Sequence, residues 1–147
     1  MKETQTRIKE LIAEYKKATN GTDEDIAKSI GLNSTANISR WASGKVLPSV
    51  KYSLKLAKLF DCTLDYLFGR TNTMDSFKNL KTVDFAIHLQ ELLNERKITK
   101  YKLFKDLNLT KGHETSWFKQ KRTPTTANYL RLADYLNISV DELVGRV

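Results

Sequence analysis

The stretch ISRWASGKVLPS, Ile38 to Ser49, sets an arginine beside a tryptophan and follows it with a Gly-Lys pair. The guanidinium of Arg40 is a planar fork of donors, matched to two acceptors on one edge, such as O6 and N7 of guanine. The Gly44 amide and the Lys45 ammonium suit a phosphate oxygen. Trp41 has a ring that stacks on a base in some settings, but its spacing from Leu32 and Ile38 assigns it to the core. A related stretch, TSWFKQKRTPTT from Thr115 to Thr126, keeps the Trp and Pro and changes the residues between them. Catalytic chemistry finds little support. His88 and His113 are the only histidines, and neither has a metal-ligand or triad partner at useful spacing. Cys62 is the only cysteine, so no disulfide framework or thiolate zinc cluster is expected. No Gly-rich phosphate loop occurs. Asp65 and Asp141 recur at matching positions, where capping of a short helix accounts for both. The chain is therefore expected to be no enzyme and to need no cofactor or metal.

The two Trp-containing stretches belong to a longer internal repeat. At an offset of 76 residues Trp41 matches Trp117, Pro48 matches Pro124, Leu56-Ala57 matches Leu132-Ala133, and Gly69-Arg70 matches Gly145-Arg146. Upstream, IAKSIGL (Ile26 to Leu32) matches LFKDLNL (Leu103 to Leu109) at an offset of 77, so the first copy carries one extra residue before its Trp. The copies divide the chain into a unit over 1–70, a polar linker over 71–80, and a second unit over 81–147. Phe77 and Leu80 are expected to pack on the second unit.

Each copy reads as five short helices, with no stretch that alternates long enough for a strand. Ile8, Leu11, Ile12 and Tyr15 mark a first helix, ended by Asn20-Gly21. Thr22 is the expected N-cap of a second helix, with Asp23, Glu24 and Asp25 in its first turn, where acids favour the helix dipole. Gly31 is placed to take a positive φ. A third helix over Ser34 to Ala42 points Ile38 and Trp41 inward. A fourth follows Pro48 from Ser49 to Phe60 with Leu54, Leu56, Ala57 and Phe60 buried, and a fifth, capped by Thr63, spans Leu64 to Phe68. In the second copy the first helix carries Phe85, Leu89, Leu92 and Leu93. The others run from Lys100 to Leu107 behind Thr99, from Lys111 to Phe118, from Thr126 to Leu136, and onward from Ser139.

Composition narrows the partners. The 147 residues are 40% hydrophobic and carry a formal net charge of +8. Residues 1–73 hold 12 basic and 8 acidic residues and residues 74–147 hold 13 and 9, so each half carries +4. That balance suits nucleic acid or an anionic surface. The N-terminus MKETQTRIKE is no signal peptide, and no apolar segment approaches membrane-spanning length. A cytoplasmic protein, associated with the nucleoid, is expected.

These marks, DIAKSIGL, ISRW, SGKVLPS and LAKLFDCTLDYLFG, then KLFKDLNL, TSWFKQKRTPTT and LADYLNISVDELVG, resemble the Cro/C1-type (XRE-like) helix-turn-helix domain of phage and bacterial repressors. The resemblance implies an all-α chain of two tandem five-helix, lambda-repressor-like domains, the second divergent. It implies a sequence-specific regulator that binds a double-stranded DNA operator, acts as a repressor by occlusion, and has a homodimer partner or a protein antirepressor. Its second and third helices form the motif, with the third in the major groove. The groove positions of the first unit then fall on Thr35, Ala36, Asn37, Ser39 and Arg40, with Lys45 on phosphate. Thr35 and Asn37 donate or accept, and Ala36 offers contact to a thymine methyl. In the second unit the groove candidates are His113 and Ser116, while Lys100 sits where the family commonly has Gln, and Lys111, Lys119, Lys121 and Arg122 surround it with positive charge suited to phosphates. Two departures stand out. Asp23 occupies a place where the family commonly has Gln on phosphate. Glu114 matches inward-facing Ile38, which requires a helix shift, a partner for the carboxylate, or a poorly formed helix. The alternative function makes one unit, more readily the C-terminal one, a dimerisation or protein-interaction module, with Tyr66, Leu67, Phe68, Leu143 and Val144 as surface candidates.

Overall fold

The computed structural model describes residues 6–146. The chain forms two compact units, 1–78 and 79–147, and the fold of each is helical.

In unit 1, α1 (Ile8–Thr19) buries Ile8, Leu11 and Ile12 at helical spacing and ends at Asn20, whose φ of 57° is left-handed. Thr22 starts α2 (Asp23–Ser29) with a reciprocal cap: its Oγ1 accepts from the Asp25 amide at 3.3 Å, and the Asp25 carboxylate accepts from the Thr22 amide at 2.9 Å. Gly31, at φ +83°, turns the chain. The third helix, α3 (Ala36–Ser43), begins two residues later than expected, so Thr35 is its N-cap, without a side-chain capping bond. Ser49 caps α4 (Val50–Phe60) and Thr63 caps α5 (Leu64–Leu67). Leu56, Ala57 and Phe60 are buried on α4, whereas Leu54 is only half-buried.

Arg7 closes this unit. Its amide donates to Leu67 O at 2.9 Å, and its guanidinium donates to Tyr66 O at 3.2 Å, Thr71 O at 2.7 Å and Asn72 Oδ1 at 2.6 Å. The same group lies 4.3 Å from the centre of the Tyr66 ring. The expected linker is therefore not a free segment at its start. Nor does Phe77 stand apart from unit 1, because its amide donates to Asp61 Oδ1 at 3.0 Å.

Unit 2 repeats the plan with α6 (Phe85–Glu95), α7 (Lys100–Asp106), α8 (Lys111–Glu114), α9 (Thr126–Leu136) and α10 (Val140–Val144), capped by Asp84, Thr99, Thr110, Thr125 and Ser139. Between α8 and the loop to α9 the helix continues as a π-helical turn, Thr115–Lys119. The unit closes with a feature that its sequence did not announce: β1 (Lys81–Thr82) pairs antiparallel with β2 (Gly145–Arg146). His88 adds a tie from α6, its Nε2–H donating to Glu142 O at 2.7 Å, while buried Nδ1 has no partner among the described residues. Leu67, Phe68 and Leu143 are fully buried core residues, which removes them as a pairing surface. Among the described residues no helix is long and apolar enough to cross a membrane.

Gly145 is extended, so sterics and not φ fix its identity: a Cβ there would sit 2.6 Å from Lys81 O. Gly145→Ala is expected to force β1 off β2 and to destabilise unit 2 by about 1–3 kcal/mol. Urea unfolding followed by Trp117 fluorescence, in a Trp41→Phe background, checks this.

Candidate nucleic-acid interface

In unit 1 the buried pair Ile38 and Trp41 fixes the rotation of α3. Trp41 meets Tyr52 of α4 with ring centres 5.7 Å apart, and the Lys51 and Lys55 ammonium groups lie 5.6 and 5.4 Å from the Tyr52 ring centre. With that face anchored, Ala36, Arg40 and Ser43 form the opposite stripe, flanked by Asn37 and Ser39, and all five are exposed. Arg40 has no hydrogen bond or ion pair from its guanidinium among the described residues. Ser39 stands at the edge of this face, lining a hollow of about 420 Å³ with Lys9, Lys16, Asp23 and Ser43. Thr35 is half-buried at the start of the helix. Gly44 ends it at φ +79° and leaves Lys45 exposed.

The acidic start of α2 is less hostile to phosphate than its sequence suggests. Lys16 pairs with Asp23 at 3.1 Å, and the Asp25 carboxylate is used in the cap of Thr22. Glu24 remains exposed.

Unit 2 builds its third helix differently. From N-cap to left-handed residue, unit 1 runs from Thr35 to Gly44, while unit 2 runs from Thr110 to Lys121, at φ +57°. The second copy's helix is thus longer by two residues and its flanking loops shorter. The π turn takes up this length, with the Gln120 amide bonding to Thr115 O at 3.0 Å, five residues back. The result keeps Trp117 buried while no residue of α8 is. Trp117 then becomes the centre of an edge-to-face cluster with Phe85 (5.5 Å), Phe104 (5.6 Å) and His113 (5.7 Å).

This shift overturns the alignment of Glu114 with Ile38. Counted from the N-cap, the residue in Ile38's place is His113. It is half-buried against Trp117, and its Nδ1 accepts from the Thr110 amide at 3.1 Å, so it serves the cap and not an outward face. Glu114 is 44% exposed, with its carboxylate 3.9 Å from Lys100 Nζ. Lys100 is occupied in turn, its ammonium 4.4 Å from the centre of the Phe118 ring. Ser116 is half-buried. Lys121 lies 3.9 Å from Asp84. Lys111, Lys119 and Arg122 are exposed.

Some positioning residues escaped the sequence reading. Lys55 on α4 donates to Ile30 O at 3.3 Å, and Arg131 on α9 donates to Leu107 O. Each cation holds the C-terminal carbonyl of its unit's second helix, just before the turn. Their common offset of 76 residues was the available signal. Tyr135 of α9 donates to Asp106 Oδ2 at the end of α7 at 2.6 Å, with Lys102 Nζ 3.1 Å away.

Residues 12–67 match the family described as helix-turn-helix, and residues 88–147 match the Cro/C1-type HTH DNA-binding domain. The matches take 56 and 60 of the 147 residues. The chain belongs to the Cro/C1-type helix-turn-helix family, as two tandem domains. Among curated proteins it is similar to the cryptic phage CTXphi transcriptional repressor RstR of Vibrio cholerae serotype O1, 34% identical over 67 residues. That alignment covers 46% of this chain and 59% of RstR. No solved structure matches.

The Tyr135 hydroxyl, then Lys102, hold the Asp106 carboxyl below its ordinary range. Stability from this contact is present above the unfolded carboxyl's pKa and is lost as pH falls through the lower folded value. Tyr135→Phe is expected to raise the Asp106 pKa toward the ordinary value, read by carboxyl NMR titration.

Proposed function

We infer that the protein is a sequence-specific, double-stranded-DNA-binding transcriptional regulator that represses by occupying an operator and occluding a promoter. The carrying observation is Arg40: a guanidinium uncommitted among the described residues, on the exposed face of a third helix whose other face is locked by Ile38 and Trp41. A planar fork held this way is suited to the O6 and N7 acceptors of guanine in the major groove. Asn37 and Ala36 flank it with an amide and a methyl, Ser39 and Thr35 lie at the margins, and Lys45 supplies a phosphate contact. Support also comes from the two tandem domains and from the name of RstR, a transcriptional repressor. The site of action is the cytoplasm, on nucleoid DNA, and repression needs no covalent chemistry.

Two linked units raise the effective concentration for a second contact once the first has formed. A second reading makes unit 2 a protein-interaction module, for a second copy of the chain or for an antirepressor. Its support is the exposed apolar surface of Ile87 (57%) and Tyr101 (77%).

Selection of binding sites from a random duplex pool, followed by gel retardation, tests the main reading. Arg40→Ala is expected to weaken the selected site by about 10- to 100-fold and to relax preference at one guanine position. Unchanged affinity and unchanged preference would exclude this face of α3.

A further inference from the structure

Unit 2 retains cations around its third helix but has lost the groups that read bases. The fifth residue after the N-cap is Arg40 in unit 1 and half-buried Thr115 in unit 2. Ala36 and Asn37 give way to Lys111 and Gly112, the latter without a side chain. His113 is committed to the cap and to Trp117, and Glu114 stands beside Lys100. Four cations stand on and beside this helix: Lys105 on α7, Lys111 at the start of α8, Lys119 at the end of the π turn, and Arg122 just beyond, the last lining a separate hollow with Asp84, Trp117 and Lys121. All four are exposed, and none has an ion-pair partner within 4.0 Å among the described residues. Glu114 and Lys111 share a hollow of about 710 Å³ with Tyr101 and Lys105.

Spread point charges of this kind match phosphates spaced along a duplex, which carry no sequence information. The Glu114 carboxylate, beside Lys105 and Lys111, opposes approach by any backbone, whatever the sequence. We propose that unit 2 is a sequence-independent phosphate clamp for duplex DNA, gripping through Lys111, Lys119 and Arg122, with Lys105 beside them and Glu114 restraining its strength. This rests on the DNA-binding function inferred for the chain. It divides the labour between the copies: unit 1 sets which site is bound, and unit 2 sets how tightly any duplex is held. The third helix itself carries the division: counted from the cap, His113 stands where unit 1 has Ile38, and the place of Arg40 holds a short side chain whether counted from the cap (Thr115) or from the Trp (Ser116).

The test uses the full chain, the selected duplex and a scrambled duplex of equal length, with anisotropy measured across a salt series. The triple variant Lys111→Ala, Lys119→Ala, Arg122→Ala is expected to weaken both duplexes by the same factor. It is expected to lower the slope of log affinity against log salt by about two to three. The charge-preserving set Lys111→Arg, Lys119→Arg, Arg122→Lys keeps both affinities, which separates charge from folding. Glu114→Gln tightens both duplexes alike. Repeated selection with Glu114→Gln or the triple variant returns the same base preference as the parent chain.

A changed base preference in either variant would overturn the proposal and make unit 2 a sequence reader, with Glu114 accepting from cytosine N4 the obvious candidate. Unchanged affinities and slope in the triple variant would overturn it in favour of a protein-interaction surface. Failure of the parent chain to bind either duplex at low salt removes the DNA-binding function itself. Binding by the parent with either of the other two outcomes removes only the clamp.

Discussion

A single buried indole anchors the third helix of each unit to the helices behind it. Trp41 and Trp117 are 4% and 2% exposed, and they pack on Tyr52 in unit 1 and on Phe85 and Phe104 in unit 2. Offset and edge-to-face ring pairs contribute about 0.5–1.5 kcal/mol each beyond area burial. Their geometric effect matters as much here. With one face of a short helix pinned by a large rigid ring, rotation about the helix axis is fixed, and the opposite stripe is presented as a set. Arg40 is outward because Trp41 is inward. Unit 2 obeys the same constraint under a harder condition, because two extra residues separate its cap from its left-handed turn. The chain meets that condition by widening one turn into a π turn and keeping the indole in place.

Electrostatics around the two motifs is arranged by local pairing. In unit 1 the acids at the start of α2 are drawn off, Asp23 by Lys16 and Asp25 by the Thr22 cap, which reduces the negative field beside the exposed face. In unit 2 the opposite occurs: Lys100 faces Glu114 and the Phe118 ring. Such surface pairs contribute little to stability, about 0–1 kcal/mol. Their effect is on which charges remain free to meet a ligand. Lys55 and Arg131 show a further use of basic residues, as donors that hold the turn of the motif.

Much of the scaffold was legible in the residues. Thr22, Thr63, Thr99 and Ser139 cap the helices assigned to them, and Gly31 takes its positive φ. These features are local: a hydroxyl three residues before an amide, or a missing Cβ, acts within one turn of chain. The exposed face of the third helix of unit 2 was not legible in the same way. Aligning the copies through Trp and Pro put Glu114 in the place of Ile38 and left His113 outward. The helix's extra length is hidden by shorter loops on either side, so the net difference is only one residue. The closing bridge between Lys81–Thr82 and Gly145–Arg146 also escaped notice, because two residues carry no periodicity.

The sequence by itself determined the class of the protein: two copies of a helical pattern, their caps, their apolar spacing, a tryptophan in each third helix and an even positive charge. Those are properties of neighbours along the chain or of repetition, and need no distant contact to be seen. Only the tertiary structure decided which side chains of the third helices are free. That choice depends on where the indole seats, on how a helix of a given length fits between fixed ends, and on which cation reaches across to an acid or a carbonyl. Among the described residues Arg40 stands uncommitted while Lys100 and His113 are engaged, for reasons that lie in residues up to 18 positions away and on other helices.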